Sequence, residues 1–373
     1  PVPGLYLHIP FCRRACTYCD FHFSTSLGTK DRVLKAMARE LEERAPGFDH
    51  GPLTSIYFGG GTPSLLEPRE LEALLDRVRR PFTVDPEAEV TLEANPDDIT
   101  AGRLAAWRQL GITRLSLGTQ SFREDRLRFM GRAHTAPDAL RSIDLIANAG
   151  FRSWTIDLIY GLPGMDRAEW DEQLTIALDH GMPHLSAYCL TVEPRTALAH
   201  QVANGTVVPA TDTDTAAQFD RLMDRMEAAG FLHYEISNFG LPGHLAVHNR
   251  SYWTGAPYLG IGPSAHSFDG RTRRWNVAHN VRYAQGVEEG ARYWEEETPS
   301  PLERTNEMLL TGLRTTEGVV LSGLPVDVLE EHGDVVRRYV EQGQLVHTDG
   351  RIALTRTGKH FADRIASDLF LVP

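Results

Sequence analysis

Cys12, Cys16 and Cys19 fall within eight residues as Cys-x3-Cys-x2-Cys, directly after the apolar run Leu5 to Pro10. Three thiolates on one loop suit a metal. Structural zinc takes four protein ligands, whereas a cubane iron-sulfur cluster on three cysteines leaves one iron open for a substrate or cofactor. Zinc completed by His8 or His22 is the competing reading. Four cysteines in 373 residues, with no signal peptide expected, disfavour a disulfide framework and point to a reducing, cytoplasmic compartment. A chance cluster of core thiols would drag the polar Arg13, Arg14, Thr17 and Asp20 inside with it. Cys189 lies far off in an apolar run and is expected in the core.

Other groups able to bind a ligand sit where β-type runs end. Gly59-Gly60-Gly61-Thr62-Pro63 follows one such run, Glu93-Ala94-Asn95-Pro96 ends the next, and Gly118-Thr119-Gln120-Ser121 ends a third. A fifth run carries Asp157 and passes into Tyr160-Gly161-Leu162-Pro163-Gly164. Glycines after a strand let backbone amides approach a ligand, although a tight β-α turn explains the triplet equally well on its own. Glu93, Gln120, Arg132 and Asp157 offer carboxylates for hydroxyl or ammonium groups, an amide for either, and a guanidinium for a carboxylate.

The elements that must position these residues alternate in type. Strands are read at Leu5 to Ile9, Ser55 to Phe58, Glu89 to Glu93, Arg114 to Leu117, Thr155 to Ile159 and His184 to Tyr188. Between them, Asp31 to Arg44, Glu67 to Arg79, Gly102 to Leu110, Ala136 to Ala149 and Asp166 to Asp179 carry apolar residues at helical spacing. Six β-α units in succession imply an α/β fold with a parallel sheet, and fewer than eight imply an open, partial (β/α)6 barrel. Ligand-binding groups in such sheets gather at the C-terminal ends of the strands; Glu93, Gln120 and Asp157 sit at or near such ends, and Arg132 follows closely.

Residues 1–195 are assigned to this partial barrel and 196–299, less periodic and rich in aromatics, histidine and glycine, to an extension. Residues 300–373 form a small α+β unit of helices and a hairpin turning at Asp349-Gly350, which looks like a winged helix. DNA binding would be the reflex reading. However, eight basic residues face eleven acidic ones from residue 301 onwards, and the whole chain carries −12, so no nucleic-acid partner is expected. No run approaches a transmembrane length.

Taken in order, Cys-x3-Cys-x2-Cys, Gly-Gly-Gly-Thr-Pro, Leu-Glu-Ala-Asn-Pro, Leu-Gly-Thr-Gln-Ser-Phe and Asp-Leu-Ile-Tyr-Gly-Leu-Pro resemble the radical S-adenosylmethionine (SAM) superfamily. The resemblance is nearest to its branch of oxygen-independent coproporphyrinogen III oxidases and related haem chaperones, and it covers nearly the whole chain. It implies a 4Fe-4S cluster on Cys12, Cys16 and Cys19, with SAM chelating the fourth iron and an electron donor for the cluster. It further implies that Gly60, Gly61 and Thr62 contact the methionine part, that Tyr6 and Tyr18 lie close to the cofactor, and that Glu93, Gln120, Arg132 and Asp157 complete its contacts.

Two departures separate the chain from the oxidases. Phe21 stands where they carry a further cysteine, and the first strand begins at Leu5 without their preceding extension. His248-Asn249-Arg250-Ser251-Tyr252-Trp253 matches the His-Asn-x-x-Tyr-Trp pattern of the chaperones, making His248, Tyr252 and Trp253 the haem candidates. His233, His244 and His266 compete as donors, and an ordered loop packing its aromatics on the barrel is the structural alternative. The run Gly260 to His266 is glycine-rich enough for close backbone approach to the cofactor instead.

The expectation is a haem chaperone that binds cluster, SAM and haem and delivers haem to a haem-requiring acceptor, touching a membrane at most peripherally. Coproporphyrinogen oxidase, or another radical oxidation of a tetrapyrrole, is the alternative. A nucleic-acid-modifying radical enzyme is the third reading, which the charge disfavours. Whether SAM is cleaved or serves as a gating ligand is left open.

Overall fold

The computed structural model describes residues 2–372. Its first half alternates strands β1 (Gly4–Ile9), β2 (Leu53–Gly60), β3 (Val84–Ala94), β4 (Arg114–Gln120), β5 (Ser153–Tyr160) and β6 (His184–Cys189) with helices. Each strand pairs in parallel with the next. The helices are α1 (Lys30–Arg44), α2 (Pro68–Arg79), α3 (Ala101–Gln109), α4 (Glu124–Met130), α5 (Ala136–Ala147) and α6 (Arg167–Asp179). Helix α2 illustrates why they form: Glu67 and Glu70 make a reciprocal cap around Pro68, and Leu71, Leu74, Leu75 and Val78 line one buried stripe. Only α4 lacks a counterpart in the apolar pattern. It is too short to display a period, and the left-handed Gly131 ends it so that the chain turns into Arg132.

The extension folds onto both edges of the sheet. After α7 (Ala197–Ala203) and α8 (Asp212–Ala228), strands β7 (Leu232–Glu235) and β8 (Asn238–Gly240) add beside β6. After α9 (Val247–Trp253), strands β9 (Tyr258–Ile261), β10 (His266–Phe268) and β11 (Arg273–Asn276), then α10 (Asn280–Glu289) and β12 (Trp294–Glu297), build a wing beside β1. The sheet order is β12-β11-β10-β9-β1-β2-β3-β4-β5-β6-β8-β7. Strand β9 is a seventh parallel strand that the pattern did not reveal, because four residues are too few to show alternation.

Glu40 on α1 fastens the wing. Its buried carboxylate accepts hydrogen bonds from Gly262 N (2.9 Å), Asn276 Nδ2 (2.7 Å), Tyr283 Oη (2.6 Å) and Arg44 Nη1 (3.1 Å). Four donors satisfy a charge that would be costly to bury alone.

The C-terminal unit has its own buried cluster, built around Leu309, Val336, Ile352, Ile365 and Leu369. It comprises α11 (Pro301–Gly312), β13 (Val319–Val320), α12 (Val328–Glu341), β14 (Leu345–Thr348), β15 (Arg351–Leu354) and α13 (Ala362–Asp368), with sheet order β13-β15-β14. Asp349 and Gly350 both adopt positive φ, 52° and 71°, the conformation a two-residue hairpin turn requires. Arg314 joins the unit to the wide sheet by its 3.1 Å ion pair with Glu235. Among the described residues no helix is long and apolar enough to cross a membrane.

Candidate functional site

The cysteine loop leaves the C-terminal end of β1 and is closed at its base by two backbone bonds, Cys12 N to Ser24 O (3.0 Å) and Ser24 N to Pro10 O (2.9 Å). The glycine turn after β2 fastens it from the side. Gly61 N donates to Ile9 O (2.9 Å), Thr62 N donates to Phe11 O (2.7 Å), and the Thr62 hydroxyl donates to Cys12 Sγ (3.4 Å). A Cβ on Gly61 would stand 2.7 Å from Phe11 O, and Gly60, at φ 111°, lies over the His8 ring. The amides of Gly61 and Thr62 are thus spent on the cysteine loop, and the glycines are required by that close approach.

A cavity of about 410 Å³ opens between this loop and the strand ends. Cys12, Cys16, Tyr18, Cys19 and Phe21 line it from the loop, and Gly60, Gly61 and Thr62 from the glycine turn. Glu93, Gln120 and Asp157 enter from β3, β4 and β5, and Arg132 from the segment after α4. The structure therefore brings together every residue expected around the cofactor except Tyr6. That ring lies one layer deeper, stacked on Tyr57 at 6.0 Å, with its hydroxyl 3.1 Å from His8 Nδ1. Its place follows from its position in mid-strand, below the strand end.

Arg132 Nη2 donates to Asn95 Oδ1 (2.5 Å) and Gly118 O (2.6 Å), while Nη1 approaches Cys16 Sγ at 3.5 Å. Glu93 accepts from Tyr57 Oη at 2.7 Å, yet burial raises its pKa to about 7. Burial also raises Asp157 to about 7, although the Ser116 hydroxyl donates to it at 3.2 Å. Cys12 and Cys19 are pushed up by desolvation, Cys19 to about 11. Gln120 has left-handed φ (65°), unusual for a side-chain-bearing residue, where the β4–β5 register slips.

This donor set fits a cluster with a polar ligand beside it. Gln120 Oε1 and Arg132 Nε are buried on the cavity wall with no partner among the described residues, so the wall is built for a polar occupant. His8 and His22, the candidate zinc ligands, are committed elsewhere. His8 Nε2 meets His22 O (2.9 Å) and His22 Nε2 meets Asn280 Oδ1 (2.7 Å).

Three residues were missed or misjudged from sequence. Cys189 ends β6 on the cavity wall and is not a core thiol. Tyr188 beside it is exposed there. Asn95, part of the quoted Leu-Glu-Ala-Asn-Pro motif, links Thr62 Oγ1 (3.2 Å) to Arg132.

His248 calls for a correction. Its ring is 1% exposed, with Nδ1 2.8 Å from Ser55 Oγ and Nε2 2.8 Å from Tyr252 Oη, so neither nitrogen is free for iron. Tyr252 and Trp253 instead line a second cavity, beneath the C-terminal unit. Of the competing histidines, His233 is bonded to Ile236 O (3.1 Å) and Lys359 Nζ (2.9 Å), and His244 to Ser153 Oγ (3.1 Å). His266 is exposed and lines the second cavity.

Fold and cysteine loop are together those of a radical SAM protein: residues 6–175 match the Radical SAM superfamily and residues 300–361 the HemN C-terminal domain. Heme chaperone HemW of Mycobacterium tuberculosis is 37% identical over 380 residues, covering 99% of this chain and 96% of that protein. HemW of Escherichia coli is 33% identical, covering 100% and 98%. The chain belongs to the HemW family. The structure of coproporphyrinogen III oxidase (HemN) from Escherichia coli superposes with a TM-score of 0.86 over 99% of this chain and 90% of that one, at 22% identity, a likeness of fold.

Proposed function

We propose that this chain is a haem chaperone that holds a 4Fe-4S cluster on Cys12, Cys16 and Cys19, seats SAM in the adjoining cavity, binds haem and passes it to a haem-requiring acceptor protein. The observation that carries this reading is end-to-end identity with proteins named for that role, at 37% and 33%. Phe21, 69% exposed on the cavity rim where the oxidases carry a further cysteine, supports chaperone over oxidase. The division into residues 1–195, 196–299 and 300–373 belongs to the same reading, supported by the separate buried cluster of the last unit.

When bound, cluster and SAM would supply one-electron chemistry in this cavity. The chain's own residues do the positioning. Thr62 holds Cys12 by its hydroxyl, and Arg132 sets a permanent cation 3.5 Å from Cys16 Sγ. Glu93 and Asp157 sit near half-ionisation at neutral pH, so each can accept a hydrogen bond from a hydroxyl or pair with an ammonium group. Gln120 offers its unpartnered carbonyl oxygen. An electron donor for the cluster and cytoplasmic work with peripheral membrane contact complete the proposal.

The test is anaerobic reconstitution followed by two measurements on one sample. Titration with haem is expected to give a stoichiometric Soret band, and incubation with coproporphyrinogen, dithionite and SAM to form no protoporphyrinogen. Absence of the band, or appearance of protoporphyrinogen, overturns the reading.

A further inference from the structure

The second cavity, about 870 Å³, lies between the wing and the C-terminal unit. Its floor follows from strand register. Tyr258 pairs with Phe268, Phe268 with Arg273 and His266 with Trp275, so these side chains share one sheet face. Across β1 that face continues to Tyr6, which pairs with Gly260. Helix α11 roofs the cavity with Arg304, Met308 and Thr311, and Trp253 closes one end.

The lining is aromatic with an uneven distribution of charge. Arg250, Arg273, Arg304 and Arg351 face Glu297, Glu307 and Glu317. Glu317 pairs with Arg250, and Glu307 pairs with Arg273 at 2.7 Å, leaving Arg304 a looser 3.4 Å contact with the same carboxylate. Arg351 donates to the backbone carbonyl of Glu317. Trp253 Nε1 is buried without a partner among the described residues. Arg304 lies over the Phe268 ring at 4.6 Å, so a flat apolar ligand carrying two carboxylates would stack on the remaining rings and take the two under-neutralised guanidiniums. The volume lies within the roughly 300–1,000 Å³ of cofactor pockets.

We propose that this cavity is the haem site, with the macrocycle on the β9–β11 face beneath α11, His266 as the iron donor, and Arg304 and Arg351 as the propionate partners. His266 stacks on Trp275 at 6.1 Å, and no described residue engages either of its ring nitrogens. The His-Asn-x-x-Tyr-Trp motif then acts through its last two residues, which form cavity wall, while His248 braces Tyr252 from behind.

This assignment rests on the haem-chaperone reading, and the test separates the two. Full-length, cluster-loaded wild type, His266→Ala, His248→Ala and Met308→Trp are titrated with haem, followed by the Soret band. They are also titrated with metal-free protoporphyrin, followed by tryptophan quenching. His266→Ala is expected to shift the Soret band and weaken haem binding at least tenfold while binding protoporphyrin as wild type does. Met308→Trp, which fills the cavity, should weaken both ligands at least tenfold with an unchanged circular dichroism spectrum. His248→Ala should keep the wild-type Soret maximum. If wild type binds haem but His266→Ala keeps its band and affinity, or Met308→Trp binds protoporphyrin normally, the site assignment falls alone. If wild type gives no band, the chaperone reading falls with it.

Discussion

Glu93 and Asp157 face one cavity from adjacent parts of the sheet, each with a pKa raised by burial to about 7. An isolated carboxyl with that pKa is ionised about one tenth of the time at pH 6 and about nine tenths at pH 8. A cationic or hydroxyl-donating ligand that needs one carboxylate ionised therefore gains about tenfold in affinity across that interval, and one that needs both gains about a hundredfold. SAM binding to cluster-loaded protein should tighten with rising pH and release protons. Calorimetry at pH 6, 7 and 8, in buffers of different ionisation enthalpy, measures both. The ligand's own amino group adds a background slope common to every protein form, so the comparison is with Glu93→Gln and Asp157→Asn. Each variant is expected to lose up to about tenfold of the pH-dependent gain. Equal slopes in wild type and both variants would refute the reasoning. The sign also fixes the ligand-free behaviour. An acid whose folded pKa exceeds its unfolded value favours the protonated fold, so its stabilising effect is present below the ordinary carboxyl range and fades as pH rises towards 7. Without ligands, either variant should therefore melt above wild type at pH 8 and close to it at pH 4.

Gly61→Ala should push a methyl into Phe11 O and Ile9 O, costing about 1–3 kcal/mol by overpacking and lowering the iron bound per chain after reconstitution. Gly102→Ala is the control. A Cβ there meets nothing within 4 Å in α3, so an unchanged or slightly raised melting temperature and normal iron content are expected. Glu40→Ala strands four donors around a buried hole. The expected loss is about 3–5 kcal/mol, read as a fall in the denaturant midpoint.

The parallel core was legible because its runs are long enough to carry a period and because glycine, cysteine and carboxylate fall where strands must end. Helix α2 could be read from Glu67-Pro68 and its leucines alone. The wing could not, since strands of three and four residues have no periodicity and their partners lie far away in sequence. Arg132 was chosen by type, but the short helix that aims it was invisible, as was the left-handed turn at Gln120, a strain set by tertiary contacts. The glycine triplet was read as a ligand cradle. The amide of its last glycine, Gly61, and that of the following Thr62 bind the chain that carries Cys12, a pairing fixed only once β1 and β2 lie side by side.

His248 shows most clearly where residue type misleads. Imidazole in an aromatic motif suggests an iron donor, yet here the ring is a brace between two cavities. Tyr57 donates to Glu93 on the wall of the cofactor cavity, and its ring stacks on His248 at 4.9 Å. His248 in turn meets Tyr252, which lines the second cavity and packs edge-on against Tyr258 at 4.7 Å. Four side chains thus join the two cavities in unbroken contact, and the Glu93 carboxyl at one end changes protonation near neutral pH. With both ring nitrogens bonded, to Ser55 and Tyr252, His248 is a packing element of the seam between the two cavities.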